Sequence, residues 1–197
     1  TLSGPVTPKL TRGALDALQK RHPKLRVKIV AKCGKPYFRY TEEPIPLQVS
    51  DGDEATVHSL LEEKTNQLFD TATGPLLRVS QVLHGAGQSS VIFSFHHTIG
   101  DGRSAVFLLR DFVLYIEKLA EGESVVVESL PMAPAFEELL PDSVKGWRGG
   151  LLLLQAMARL AFGFLKSGFA LRGLPTVCRS SLSERKVIVF QKTLPPD

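Results

Sequence analysis

The stretch Phe95-His96-His97-Thr98-Ile99-Gly100-Asp101-Gly102 decides the interpretation of this 197-residue sequence. It continues a run, Val91-Ile92-Phe93-Ser94-Phe95, that is apolar at both alternating positions. Such a run predicts a strand that is covered on both faces of its sheet. A buried strand fixes the start of the loop that follows it, and side chains on such loops can meet a substrate. The two histidines therefore occupy a position that is suited to chemistry.

His96 and His97 are candidates for general-base catalysis, because an imidazole with a pKa of about 6.5 is largely neutral at neutral pH. Residue types alone leave open a turn in which both histidines merely satisfy hydrogen bonds. We predict no metal site, since adjacent histidines do not project together and no third ligand is evident. Gly100 and Gly102 allow a tight turn around Asp101, which either orients a histidine or holds the loop through an arginine.

The sequence on both sides of this loop predicts a mixed α/β domain. Apolar residues at helical spacing predict helices over 8–21, from Asp51 or Asp53 to about Asp70, and over 104–119. Alternating residues bounded by turn signals predict strands at 25–31, 37–40, 44–49, 74–84, 90–95 and 185–191. Apolar residues are 43% and charged residues 22% of the chain, which is enough for a globular core.

Charge is divided between two blocks of the sequence. Residues 1–40 contain ten Lys and Arg and one acid, a local charge of +9, whereas 41–70 contain eight acids and one Lys, a local charge of −7. Blocks of this kind predict solvated faces that attract each other across the fold. Alternatively, the basic surface receives a phosphate-bearing donor or an acidic carrier protein. No nucleic-acid partner is predicted, because no binding motif accompanies the charge.

The two cysteines, Cys33 and Cys178, provide neither a disulfide framework nor zinc-ligand spacing. We expect two unpaired thiols in a reducing, cytoplasmic compartment. Farther along, Leu151 to Leu171 is apolar but interrupted by charges, so an amphipathic helix is predicted instead of a transmembrane span.

Three segments together resemble one protein family. Residues 95–102 resemble the H-H-x-x-x-D-G signature of the superfamily of condensation domains and chloramphenicol-acetyltransferase-like enzymes. Arg21-His22-Pro23-Lys24-Leu25-Arg26 is similar to the family's R-H-x-x-L-R segment, and 69–78 is similar to its F-D-x-x-x-G-P-L-L-R segment. The three lie in the family's order within 2–119.

The resemblance implies the N-terminal half of a fold with two similar α/β halves, a mixed sheet flanked by helices, and a tunnel between the halves. We therefore divide the chain into 1–125, the acyltransferase half, 126–184, a crossing loop with the apolar helix, and 185–197, the first strand of a missing C-terminal half. That half, in the same or a second chain, is an expected partner. Without it, the chain is expected to be inactive or to self-associate.

The resemblance also implies a role for each motif residue. His97 is expected to take a proton from an acceptor that attacks an acyl thioester, and His96 to be structural. Asp101 is expected to point away from the substrates and hold the loop, with Arg26 as its partner. Gly102 is expected to give the close backbone approach that a substrate needs. No bound cofactor is expected, and an acyl-CoA or acyl carrier protein thioester is the expected co-substrate.

Within the superfamily, 100–104 and the proline-rich crossing segment look more like stand-alone alcohol acyltransferases of the polyketide-associated type. We therefore expect an alcohol acceptor. The alternatives are an amide-forming condensation domain of the peptide-synthetase type and a non-catalytic binding module that retains the fold. The helix from Leu151 to Leu171 either packs in the core, lines a channel for a long acyl chain, or contacts a membrane surface.

Overall fold

The computed structural model describes residues 1–4, 6–132, 134, 138, 141–142 and 146–166. The chain divides into two compact units, one of which includes 1–131 and the other the helix at 146–166. The predicted strand at 185–191, and with it the predicted third segment at 185–197, lies outside the described residues.

The described part of the first unit alternates strands with helices. Two 3-10 turns, Pro23–Arg26 and Gly85–Gly87, interrupt the regular elements. In chain order the strands and helices are β1 (Leu2–Ser3), α1 (Pro8–Arg21), β2 (Val27–Lys32), β3 (Lys35–Tyr40), β4 (Leu47–Asp51), α2 (Glu54–Asn66), β5 (Leu77–His84), β6 (Gln88–Phe95) and α3 (Gly102–Ala120).

The main sheet has the strand order β1-β6-β5-β4. β6 runs antiparallel to β5, from Leu77 opposite Phe95 to His84 opposite Gln88, and β4 runs parallel to β5. β2 and β3 form a separate two-stranded hairpin. The sheet is therefore mixed, as predicted, and β6 lies between β1 and β5.

The main sheet carries apolar side chains on both faces. Phe93 and Val79 pack in the larger core with α1 and α3, whereas Ile92 and Val82 pack in a smaller cluster with Leu60 of α2. Successive strand residues point to opposite faces, so a strand between two helical layers must be apolar at every position. This arrangement confirms the prediction of a strand covered on both faces.

Side-chain hydrogen bonds set the helix boundaries. Thr7 caps α1, and Asp53 caps α2 in a reciprocal capping box with Thr56. The predicted extension of α2 to Asp70 is wrong, because the helix ends at Asn66. Beyond that point the Gln67 carbonyl accepts a hydrogen bond from Arg78 of β5, at 2.7 Å, and the chain turns toward the sheet.

The described part of the second unit contains α4 (Gly146–Lys166). It begins five residues before the predicted apolar run, and 167–171 lie outside the described residues. Over 151–163 its apolar side chains are exposed, including Leu153 at 66% and Phe162 at 69%. No helix among the described residues has both the length and the apolar character that a membrane span requires.

Candidate active site at the end of β6

The motif loop joins β6 to α3. The His96 amide donates to the Leu76 carbonyl at 2.9 Å, which extends the pairing with β5 by one residue. The Ile99 amide then donates to the His96 carbonyl at 3.1 Å and closes a turn. Ile99 is 8% exposed and packs in the larger core. The loop is therefore anchored on both sides of His97.

The His96 ring is held by its own loop. Its Nδ1 lies 3.3 Å from the Thr98 amide nitrogen and 2.8 Å from the Thr98 hydroxyl. A backbone N–H can only donate, so Nδ1 is an acceptor, and the proton of the neutral ring is on Nε2. Phe69 packs edge-on against the same ring, with 6.0 Å between the centroids. These contacts agree with the expected structural role of His96, which stays a prediction.

The His97 ring is exposed, and no other described residue forms a hydrogen bond with it. It lines a cavity of about 560 Å³ between the end of α2 and β6. Lys64, Gln67 and Ser94 add polar groups to this cavity. Most of its other lining is apolar: Leu61, Leu68, Phe69, Ile92, Phe93 and Phe95. His96 lines the same cavity, but its Nδ1 is occupied by Thr98, whereas both ring nitrogens of His97 are free of hydrogen bonds to other described residues.

Asp101 is the N-cap of α3. Its Oδ1 accepts hydrogen bonds from the Ser104 amide at 2.9 Å and the Ser104 hydroxyl at 2.7 Å. These two bonds favour the ionised carboxyl and lower the pKa of Asp101 below its ordinary value. A carboxylate at this position also interacts favourably with the helix dipole.

The expected partnership of Arg26 with Asp101 is wrong for the described structure. Arg26 donates to the Ser129 hydroxyl at 3.0 Å, and its guanidinium lies 5.6 Å from the centre of the Tyr40 ring. The physical reason is that the Asp101 carboxylate bonds to Ser104 at the start of α3, whereas Arg26 ends the 3-10 turn that leads into β2.

The two motif glycines differ in their surroundings. A Cβ at Gly100 would lie 2.8 Å from the Ser104 Cβ, so a side chain there would disturb the cap. A Cβ at Gly102 would meet no atom within 4 Å. Close packing therefore requires glycine at Gly100, while the backbone at Gly102 is open. The expected approach of a substrate to Gly102 stays a prediction.

The segment 69–78 contacts the motif loop through Phe69. The Arg78 guanidinium stacks on the Phe69 ring at 4.0 Å from its centre, and Phe69 in turn contacts His96. Burial of the guanidinium lowers the pKa of Arg78. Gly74 has a positive φ of 50°, and a Cβ there would lie 2.6 Å from the Lys28 Cβ, so this loop packs tightly against β2.

Sequence reasoning missed Asp111, which pairs with the start of the segment 21–26. Its Oδ2 accepts from Arg21 Nε at 3.2 Å and lies 3.1 Å from His22 Nε2, while its Oδ1 accepts from Arg110 at 3.0 Å. The Asp111 side chain is only 8% exposed. The position of Asp111 beside the apolar face of α3 could have predicted this pairing, because a buried carboxylate needs hydrogen-bonding or charged partners.

Burial and pairing shift both pKa values in this cluster. Burial alone would raise the pKa of Asp111, but hydrogen bonds from Arg110 and His22 outweigh it and lower that pKa. Burial lowers the pKa of His22 below its ordinary value of 6.5, and this effect outweighs the hydrogen bond to Asp111. The cluster joins the end of α1 to α3 and so fixes the helix that carries Asp101.

The two charge blocks do not pair in the described part of the chain. Arg12 pairs with Asp16 inside the basic block, Lys64 pairs with Glu63 inside the acidic block, and Arg21 pairs outside both. The predicted attraction between the blocks is therefore not realised as ion pairs among these residues. Nor does any group of three or more His, Cys, Asp or Glu in the described ranges form a metal site.

Comparison with known proteins matches residues 1–137 to a family model described as a condensation domain. The chain is 29% identical over 136 residues to phosphinothricin tripeptide synthetase PhsC of Streptomyces viridochromogenes. The aligned region covers 65% of the chain and 12% of that protein. The chain is also 30% identical over 125 residues to tyrocidine synthase 3 of Brevibacillus parabrevis. Here the aligned region covers 63% of the chain and 2% of that protein. The chain therefore spans a small part of these relatives.

A solved structure shows the same fold. The starter condensation domain of rhizomide synthetase RzmA superposes with a TM-score of 0.58 at 18% identity, over 64% of this chain and 32% of that one. The curated relatives are peptide synthetases, so they do not support the expected closeness to alcohol acyltransferases of the polyketide-associated type.

Proposed function

Because the chain belongs to the condensation-domain family, we propose that it provides the general-base half of an acyltransferase site that joins an acyl thioester to an amine. The observation that carries this proposal is the His97 ring. It is exposed on a loop anchored at both sides, and it lines a cavity large enough for part of a substrate. The similarity to peptide synthetases favours an amine over the alcohol expected from sequence.

In the proposed reaction, neutral His97 accepts a proton from the attacking amine as the C–N bond forms. The C–S bond of the thioester then breaks, and the proton passes to the departing sulfur. General-base assistance of this kind contributes typically ~10²–10⁴-fold to a rate. Holding both substrates beside the same ring contributes further, because it removes the entropic cost of a bimolecular encounter.

The other motif residues act on position in this proposal. His96, bonded to Thr98, fixes the loop, and Asp101 fixes the start of α3. The apolar lining around Phe69 and Phe93 suits an acyl or aminoacyl side chain. The thioester is borne by a carrier protein or by CoA, and the C-terminal half that the family resemblance implies closes the site on its other side.

The test replaces His97 with Ala in the complete protein and compares amide formation from a defined acyl thioester. We expect kcat/KM to fall by about 10²–10⁴-fold, with the thermal unfolding midpoint unchanged because the ring is exposed. His58→Gln, which changes a histidine that does not line the cavity, is the matched control and should retain activity.

Three results would change the proposal. Undiminished transfer by His97→Ala would remove the general base from the proposal. With amine and alcohol acceptors supplied together, an ester product without an amide would restore the alcohol acyltransferase prediction. A wild-type complete protein that transfers to neither acceptor would favour the non-catalytic binding module.

A further inference from the structure

The β2–β3 hairpin separates its cations from its core-facing side. In an antiparallel pair, residues directly opposite each other point to the same face. Val27 opposes Tyr40, and Val27 is buried in the larger core at 2% exposure. The register places every basic residue of the hairpin on the other face, together with Val30 and Tyr37: Lys28, Lys32, Lys35 and Arg39.

This basic face brings like charges together in pairs. Lys28 lies directly opposite Arg39, and Lys32 directly opposite Lys35. Like charges at opposed positions of a strand pair are destabilising. The segment 27–40 contains no acid, and no ion pair to these four cations occurs among the described residues. The hairpin therefore carries a repulsion that the described fold leaves uncompensated.

Aromatic side chains accompany the charge. Tyr37 lies on the basic face and is 50% exposed, and Phe38 and Tyr40 on the opposite face are 49% and 57% exposed. Exposed aromatic residues and arginine are enriched where proteins bind proteins. Because Val27 and Ile29 pack in or against the larger core, this surface is presented on an anchored hairpin.

The hairpin adjoins the loop that supports the motif histidines. The Ile29 amide donates to the Thr71 carbonyl at 2.8 Å, and Gly74 packs against Lys28. Two residues before Thr71, Phe69 contacts the His96 ring. A partner bound on the basic face would thus lie against the same loop that reaches the candidate active site.

We propose that this face, formed by Lys28, Lys32, Lys35, Arg39 and Tyr37, is the docking surface for an acidic protein domain that presents the acyl thioester. The inference rests on the proposed function for the identity of that cargo. An acidic surface removes the repulsion between the paired cations and gains attraction that salt weakens. A protein surface is favoured over nucleic acid, because no motif for reading a groove accompanies these four cations.

The test uses the complete protein and a purified acidic carrier domain as the probe. The variant Lys35→Glu/Arg39→Glu turns both like-charged pairs into opposite-charged pairs. Lys9→Glu/Lys118→Glu, at two exposed positions off the hairpin, makes the same change in net charge and is the control. Three quantities are measured: Kd for the unloaded carrier domain at low and high salt, kcat/KM with the acyl-loaded carrier, and kcat/KM with a small acyl thioester.

We expect the hairpin variant to weaken carrier binding by about tenfold or more, since each reversal replaces an attraction with a repulsion. The wild-type Kd should rise with salt, and the control should bind like the wild type. Transfer from the small thioester should be unchanged. The thermal midpoint of the hairpin variant should not fall, because the cross-strand repulsion is gone. A loss of binding caused by misfolding would lower that midpoint.

Unaltered carrier binding by the hairpin variant would overturn the proposal. So would a wild-type protein that binds a duplex oligonucleotide through this face but not the carrier domain. Failure of the proposed function has a different signature, which is absence of transfer from both thioesters. The Kd measurement then still decides whether the basic face docks an acidic domain.

Discussion

Asp101 accepts both of its hydrogen bonds from Ser104, so its carboxylate acts on the backbone of α3 in the described structure. Asparagine caps helices about as well as aspartate, whereas alanine does not. We therefore expect Asp101→Asn to keep the thermal midpoint and kcat/KM close to the wild type. Asp101→Ala should lower both, because the loop that holds His97 loses its attachment to the helix.

Thermal unfolding and steady-state kinetics on the two Asp101 variants check this prediction. If Asp101→Asn lost as much activity as Asp101→Ala while remaining equally folded, the negative charge itself would be required. The role would then be an ionic one, as expected from the family resemblance, with a partner other than Arg26.

At the same scale, the two histidines are distinguished by their neighbours. The Thr98 amide fixes the acceptor nitrogen of His96, which leaves that ring one hydrogen-bonding direction. His97 has no such constraint among the described residues, so either nitrogen can meet a substrate. The sequence placed both rings on one loop, but their different surroundings depend on a turn geometry that no spacing encodes.

At the scale of elements, the junction of α1 and α3 depends on the protonation of His22. Burial lowers the pKa of His22 in the folded protein, so the unfolded chain binds the proton first as the pH falls. The contribution of this group is fully present above its ordinary pKa of 6.5 and is lost as the pH falls through the lower, folded value. We expect the urea midpoint to decrease over that interval.

His22→Gln tests the assignment. Glutamine retains a donor for Asp111 but does not titrate, so the variant's urea midpoint should depend less on pH than that of the wild type over the same interval. Parallel pH profiles for the two proteins would show that His22 does not control the junction. The pairing of Asp111 itself persists to lower pH, because hydrogen bonds from Arg110 and His22 lower its pKa.

Local patterns predicted most of the elements, because the signals for them are local. Pro8–Arg21 is the predicted helix, and β6 covers the predicted 90–95. The errors have two sources. Arg78 of β5 bonds to the chain beyond the end of α2, and a local 3-10 turn, Pro23–Arg26, occupies the start of the predicted strand at 25–31. The cavity forms between segments that are far apart in sequence, and so does the pair of Asp111 with Arg21. Sequence periodicity therefore cannot predict either of them.

At the scale of the whole molecule, α3 exposes an apolar face. Large patches of this kind on soluble chains usually mark contact surfaces or cause association. The chain covers about a third of the length of a solved condensation domain of similar fold, 32% of that chain. The exposed apolar residues of the helix, each at least 42% accessible, are Val106, Phe107, Leu109, Val113 and Leu114.

We expect the 197-residue polypeptide to self-associate through this face in the absence of the C-terminal half. Val106→Lys/Val113→Lys, two changes one heptad apart on the exposed side of α3, should shift sedimentation velocity toward the monomer. Val126→Lys, at a residue that is 90% exposed outside the helix, is the control and should leave the distribution as it is. Association that ignored both α3 substitutions would place the contact elsewhere.

The edge-on contact between Phe69 and His96 has a spectroscopic consequence. Protons beside an aromatic ring experience its ring current, so the resonances of the His96 imidazole depend on where Phe69 lies. Phe69 begins the loop whose Thr71 carbonyl accepts a hydrogen bond from the Ile29 amide of β2. Displacement of that loop would therefore move the His96 signals in a proton NMR spectrum before any bond is made or broken. The chemical shifts of the His96 ring protons therefore report the position of the loop that joins the β2–β3 hairpin to the histidines.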